Sequence, residues 1–215
     1  MDFIDNKLAN YVEQHTDAEP ALLYQLNRET QLKVLRPRMI SGHFQGRVLS
    51  MFMKMISPTN ILEIGTYTGY SALCMAEGLT ENGKLTTIDK NVELENIVTK
   101  YFALSEYSSK LNYLIGDALK IIPTLNEKYD VVFIDADKEN YATYFDMVFD
   151  KLNVGGYIIA DNVLWSGKVI DETIKMDKDT QALLDFNKKV QEDTRVENVL
   201  FPIRDGVLIA RKIKE

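Results

Sequence analysis

Over residues 1–57 the apolar positions fall three and four apart: Phe3, Leu8, Tyr11 and Val12, then Leu22, Leu23 and Leu26, then Val48, Leu49, Phe52 and Met53. That spacing lines one face of successive helices. After residue 58 the pattern changes to short apolar runs: NILEIG (60–65), KLTTID (84–89), LNYLIGD (111–117), YDVVFID (129–135) and GGYIIAD (155–161). Runs this short, apolar and β-branched predict parallel strands covered on both faces. Helical periodicity returns after them, at about 69–80, 91–107, 138–151 and 178–192.

The chain ends differently. ENVLFPI (197–203) and GVLIARK (206–212) are separated only by Arg204 and Asp205, which is hairpin spacing. The sum is an α/β fold: a doubly wound, seven-stranded, mostly parallel sheet with a C-terminal antiparallel hairpin and extra N-terminal helices. We expect a single domain over 1–215, with 1–57 a helical segment covering the site and 58–215 the α/β core. In such sheets ligands bind beyond the carboxyl ends of the strands, near the point where strand order reverses.

Acids stand at those ends. The first run closes on Glu63 and enters GTYTG (65–69); the others close on Asp89, Asp117, Asp135 and Asp161, the last followed by Asn162. One such acid is more often a helix cap or turn former than a functional group, but capping alone does not account for five. The glycine loop is neither GxGxxG nor GxxxxGK[ST], so neither a dinucleotide nor a triphosphate is indicated. Glycine still lets backbone approach a ligand, and the following helix offers free N–H groups. Glu63 and Asp89 suit a ligand with hydroxyls and a positive charge, and Asp89 lies about 20 residues past the loop, where an acid reaches ribose. S-adenosylmethionine has that chemistry. Asp135, Asp161 and Asn162 offer two carboxylates and an amide oxygen, hard ligands for Mg²⁺, Mn²⁺ or Ca²⁺; the bland alternative is a hydrogen-bonded Asp-Asn pair.

Composition narrows the partners. The 215 residues carry a formal net charge of −7, which disfavours a broad nucleic-acid binder. LKVLRPR (32–38) is a local basic stretch, read first as solvated charge near a turn. No apolar run approaches the ~20 residues of a membrane span. The N-terminal MDFIDNKLANYVEQ lacks the layout of a signal peptide, so a cytoplasmic location is expected. Cys74 is the only cysteine, which removes a disulfide framework and leaves packing in a helix as its role.

Four segments together resemble a family: EIGTYTGYS (63–71), VVFIDADKENY (131–141), GGYIIADNVLWSG (155–167) and LFPIRDGVLIARK (200–212). They are similar to the cation-dependent class I O-methyltransferases of the catechol and caffeoyl-coenzyme A type, in its bacterial form, over nearly the whole chain. The resemblance implies the Rossmann-like methyltransferase fold and methyl transfer from S-adenosylmethionine to a hydroxyl of a small aromatic diol or its coenzyme A ester. It places the divalent cation, Mg²⁺ first with Mn²⁺ or Ca²⁺ as alternatives, on Asp135, Asp161 and Asn162. Lys138 becomes the general base or the group that orients the acceptor oxygen, paired with Asp135 in catalysis. Cofactor contacts fall on Glu63, Gly65, Tyr67, Tyr70 and Ser71, on Asp89 for the ribose, on Asp117 and Ala118 near the adenine, and on Asp135.

MISGHFQG (39–46) departs from the more acidic motif of the plant enzymes, so Met39 and Ser41 are carried over as cofactor contacts on weaker grounds. Trp165 either walls the acceptor pocket or packs. His15 is expected at the surface, and His43 has no ligand spacing. Asp137 and Glu139 are expected to be solvated or to support the ligands from behind. A homodimer is expected from the family. The rivals are a nicotinamide dehydrogenase, disfavoured by the absent GxGxxG, and an inactive cofactor-binding protein, disfavoured by the intact ligand positions. Within the family the alternative acceptor is a hydroxylated uridine of transfer RNA, which a positive cleft around Arg36, Arg38 and Arg47 would favour.

Overall fold

The computed structural model describes residues 4–171, 173 and 176–215. Phe3 of the helical pattern and part of the 166–179 loop lie outside them. Three helices open the chain: α1 (Asn6–Gln14), α2 (Ala21–Lys33) and α3 (Gly42–Ile56). Asp5 caps α1 by accepting from the Lys7 amide at 2.8 Å. Between α2 and α3 the chain breaks at Arg36, whose φ is +57°, and Pro37, because proline restricts the residue before it to non-helical backbone.

The core then alternates: β1 (Asn60–Ile64), α4 (Tyr70–Ala76), β2 (Lys84–Asp89), α5 (Glu95–Leu104), β3 (Leu111–Ile115), α6 (Ala118–Ile121), β4 (Tyr129–Ile134), α7 (Tyr141–Phe149), β5 (Leu152–Asp161), α8 (Lys178–Glu192), β6 (Val196–Phe201) and β7 (Val207–Lys212). The strand order is β3-β2-β1-β4-β5-β7-β6. Five strands run parallel; β7 pairs antiparallel with both β5 and β6. The expected sheet is present, with β7 between β5 and β6. The hairpin turn is longer than its spacing suggested, Pro202 to Gly206, because proline has no N–H for the ladder.

Alternation along the strands builds a core on each face. Leu62, Ile64, Val132, Ile134 and Ile158 pack against α7 and α8 through Tyr141, Phe145 and Phe186. Ile61, Val131, Phe133 and Ile159 face Leu49, Met53, Tyr70, Cys74 and Phe102 of α3, α4 and α5. Cys74 is buried here as expected, its thiol pushed up to about 12 by burial. Strand order reverses between β1 and β4, and their ends meet closely. Gly65 has φ +105°, and a Cβ there would lie 1.8 Å from the Asp135 carbonyl oxygen, so only glycine fits. Among the described residues no helix is long and apolar enough to cross a membrane.

Candidate active site

A cavity of about 1420 Å³ opens over the carboxyl ends of the parallel strands. Gly65, Tyr67, Asp89, Asp117, Ala118, Asp135, Lys138, Asp161 and Asn162 line it from the core, and Met39 and Ser41 line it from the N-terminal segment. The residues singled out in the sequence thus converge, apart from three. Glu63, Tyr70 and Ser71 lie behind the cavity wall.

Period-two alternation explains Glu63. It faces the same side of β1 as Ile61, toward α4, and is fully buried. Ser71 Oγ donates to its Oε1 at 2.5 Å, and Thr87 Oγ1 donates to its Oε2. Burial nevertheless pushes the carboxyl up to about 8, since desolvation penalises the charged form. Tyr70 is buried and donates to Glu19 Oε1 at 2.6 Å.

The loop acids are built into the scaffold. Asp89 accepts from the Tyr67 amide at 2.7 Å and from the Asn91 amide at 2.8 Å, which holds the glycine loop against β2. Asp117 caps α6 by accepting from the Leu119 amide at 3.0 Å. Tyr67 spans to the rim, its hydroxyl donating to the Arg36 carbonyl at 3.2 Å.

The floor is ionic. Lys138, only 6 % exposed, donates to Asp135 Oδ1 at 3.2 Å, to Asn162 Oδ1 at 3.1 Å and to the Tyr141 hydroxyl. Asp161 is fully buried from the other side; the Asn162 amide donates to its Oδ1 at 2.8 Å and Gln45 Nε2 to its Oδ2 at 2.5 Å. Burial first, and the neighbouring Asp135 charge second, push the Asp161 carboxyl up to about 7. Asn162 sits at φ +58°, a left-handed turn that aims its side chain back at Lys138. Trp165 closes one side, its ring centroid 5.7 Å from Lys138 Nζ, and its buried indole N–H has no partner among the described residues.

This donor set fits a hard divalent cation. The ammonium of Lys138 already rests between two of the three oxygens, and added positive charge would relieve the repulsion between Asp135 and Asp161. No group of three His, Cys, Asp or Glu gathers as a metal site among the described residues; here the third donor is an amide.

Three participants were not visible from motif spacing. Gln45 and Arg204 join the floor, Arg204 Nη1 donating to Gln45 Oε1 at 3.1 Å, and Tyr141 underlies Lys138. The signal for Gln45 was its place on the apolar stripe of α3, at four-residue spacing from Leu49 and Met53. Of the other polar residues, the two histidines stay outside the cavity. His43 Nε2 donates to the Asp17 carbonyl at 2.6 Å, and His15 stacks on Tyr11 with centroids 3.9 Å apart. Arg36 and Arg38 line the cavity mouth, but Arg47 is tied to Glu77 at 2.6 Å. Asp137 is held by Tyr144, whose hydroxyl donates at 2.7 Å, while Glu139 is solvated.

The sequence profile of the O-methyltransferase family matches residues 12–213. A caffeoyl-CoA O-methyltransferase of Medicago sativa is 35% identical over 183 residues, 79% of this chain and 73% of the relative. Caffeoyl-CoA O-methyltransferase 5 of Nicotiana tabacum is 34% identical over 206 residues, 91% of this chain and 85% of the relative. Among solved structures, an SAH-bound methyltransferase of Podospora anserina superposes with a TM-score of 0.89 at 26% identity, covering 98% of this chain and 95% of that one. The O-methyltransferase from Bacillus cereus, in complex with SAH, superposes with a TM-score of 0.88 at 26% identity, covering 96% and 97%.

Proposed function

The chain belongs to the O-methyltransferase family, and on that premise we propose that it moves a methyl group from S-adenosylmethionine to one hydroxyl of an aromatic vicinal diol or of its coenzyme A ester. A divalent cation, Mg²⁺ first, is held by Asp135, Asp161 and Asn162. The observation that carries this reading is the floor of the cavity: a buried Lys138 ammonium between Asp135 and Asn162, directly beyond the ends of β4 and β5.

Methyl transfer is an in-line displacement in which an oxygen–carbon bond forms as the sulfur–carbon bond breaks, so catalysis is mainly positioning and activation of the nucleophile. When bound, the cation supplies Lewis acidity that lowers the pKa of a chelated hydroxyl. Once its own ammonium proton has passed to solvent, the neutral Lys138 Nζ takes the hydroxyl proton at the cavity floor, within reach of an acceptor oxygen set between Asp135 and Asn162. Asp89 uses one lone pair of each oxygen on backbone amides and keeps others for ribose hydroxyls. Asp117, Ala118, Met39, Ser41 and Tyr67 enclose the remainder of the donor, and Gly65 lets it approach the backbone. Glu63, Tyr70 and Ser71 support that wall from behind. Trp165 offers its ring face to the acceptor. In the same reading residues 1–57 form a helical cover on the 58–215 core within one domain, and the protein works as a homodimer.

A hydroxylated uridine of transfer RNA is the second acceptor to test, because Arg36 and Arg38 stand at the mouth. Glu29, Glu93 and Asp179 line the same cavity as Lys33, Arg36, Arg38, Lys90 and Lys100, so the lining is of mixed sign, without the one-signed basic field that a polyanion calls for. The experiment is methyl transfer from S-adenosylmethionine to a panel of catechols, with Mg²⁺ and with excess chelator. Transfer that stops with chelator and returns with Mg²⁺ is expected. Cofactor binding without transfer to any catechol would refute the free-catechol reading and move the acceptor to a coenzyme A ester or a hydroxylated uridine of transfer RNA.

A further inference from the structure

Asp161 is the most buried of the three proposed cation ligands, and its rear oxygen is held by a residue from a distant part of the chain. Gln45 of α3, only 2 % exposed, donates Nε2 to Asp161 Oδ2 at 2.5 Å. Its own Oε1 accepts from Arg204 Nη1 at 3.1 Å, and the same Nη1 donates to the Ile40 carbonyl at 3.4 Å. A guanidinium only donates, so the amide oxygen must face Arg204 and the NH₂ must face the carboxylate. Arg204 is in the turn between β6 and β7 with φ +49°, a left-handed backbone uncommon outside glycine.

We propose that Gln45, oriented by Arg204, is a positioning residue that holds the Asp161 carboxylate in the pose that accepts the divalent cation. The inference rests on the cation reading above. A neutral donor suits the place: a lysine or arginine directly on Asp161 would cancel the charge the cation needs, whereas an amide fixes the geometry and leaves the charge available. Groups that hydrogen-bond metal ligands from behind typically change metal affinity by about 10- to 100-fold when lost.

The test is Mn²⁺ binding to the full chain, followed by the electron paramagnetic resonance of free Mn²⁺, with S-adenosylhomocysteine affinity measured calorimetrically on the same samples. Gln45→Met is expected to weaken Mn²⁺ binding by about 10-fold or more and to leave S-adenosylhomocysteine affinity within about twofold. Arg204→Met, in the turn and outside the core, is expected to weaken Mn²⁺ less, with Arg204→Lys restoring it. The double variant is expected to be no weaker than Gln45→Met, because the second change acts only through the first. Mn²⁺ affinity unchanged in both single variants, while the native chain binds Mn²⁺, would overturn this inference alone, as would equal loss of Mn²⁺ and S-adenosylhomocysteine affinity. A native chain that takes up no Mn²⁺ would overturn the cation reading and this inference with it.

Discussion

Glu63 gives the sharpest prediction from geometry alone. It is fully buried with two hydroxyl donors, and its carboxyl is pushed from 4.5 up to about 8, chiefly by burial. The sign follows from proton counting: between those values the folded chain holds a proton that the unfolded chain has lost. Stability therefore falls as pH rises through that window. At about 1.4 kcal/mol for each pH unit, the full window amounts to at most about 5 kcal/mol. Glu63→Gln keeps the shape and cannot ionise. Urea unfolding of both chains, cation-free, at pH 5, 6, 7 and 8 isolates the effect, because Asp161 titrates in the same direction in both and cancels. The native chain is expected to lose up to about 4 kcal/mol more than Glu63→Gln between pH 5 and 8. Parallel curves for the two chains would refute the argument that burial, rather than the Ser71 and Thr87 donors, decides the state of this carboxyl.

Three further outcomes follow from other positions. Lys138→Met should lower kcat by about 10²- to 10⁴-fold while calorimetry finds S-adenosylhomocysteine affinity within a few-fold of native; a near-native kcat would remove Lys138 as the base. Gly65→Ala puts a Cβ 1.8 Å from the Asp135 carbonyl oxygen at φ +105°, and is expected to cost more than about 3 kcal/mol by chemical unfolding. Lys212, fully buried, donates to the Phe149 and Leu152 carbonyls at 3.1 and 3.0 Å. Lys212→Met leaves those carbonyls without this donor and should cost about 1–3 kcal/mol, seen as a lower urea midpoint with cofactor affinity unaltered.

How far the sequence discloses such a molecule depends on whether a feature is local. The parallel strands are legible because burial on both faces makes them continuously apolar, and helix α8 begins where Asp177 caps it, accepting from the Thr180 amide at 2.8 Å. Helix α5 starts later than its periodicity suggested because Asn91 first caps a 3-10 turn at Val92–Leu94. Likewise the acids closing FIDADKENY and IIADN stand out as charge at the ends of apolar runs, and Asp135, Lys138, Asp161 and Asn162 do meet at one floor. Position within the sheet is less local. Hairpin spacing signals two paired strands, but that β7 enters between β5 and β6 depends on partners more than forty residues away. Glu63 marks the boundary between the two cases. Its place at a strand end suggested a ligand contact, while its parity with Ile61 turned it to the helical face, and parity was readable without any structure. Gln45 and Arg204 lie beyond that boundary, since a bond between residues 45 and 204 leaves no local trace in either segment. What Gln45 does leave is a misfit, a polar side chain on the stripe it shares with Leu49 and Met53. A buried amide needs partners, so a polar residue on an apolar face marks a distant contact even where the sequence cannot name it.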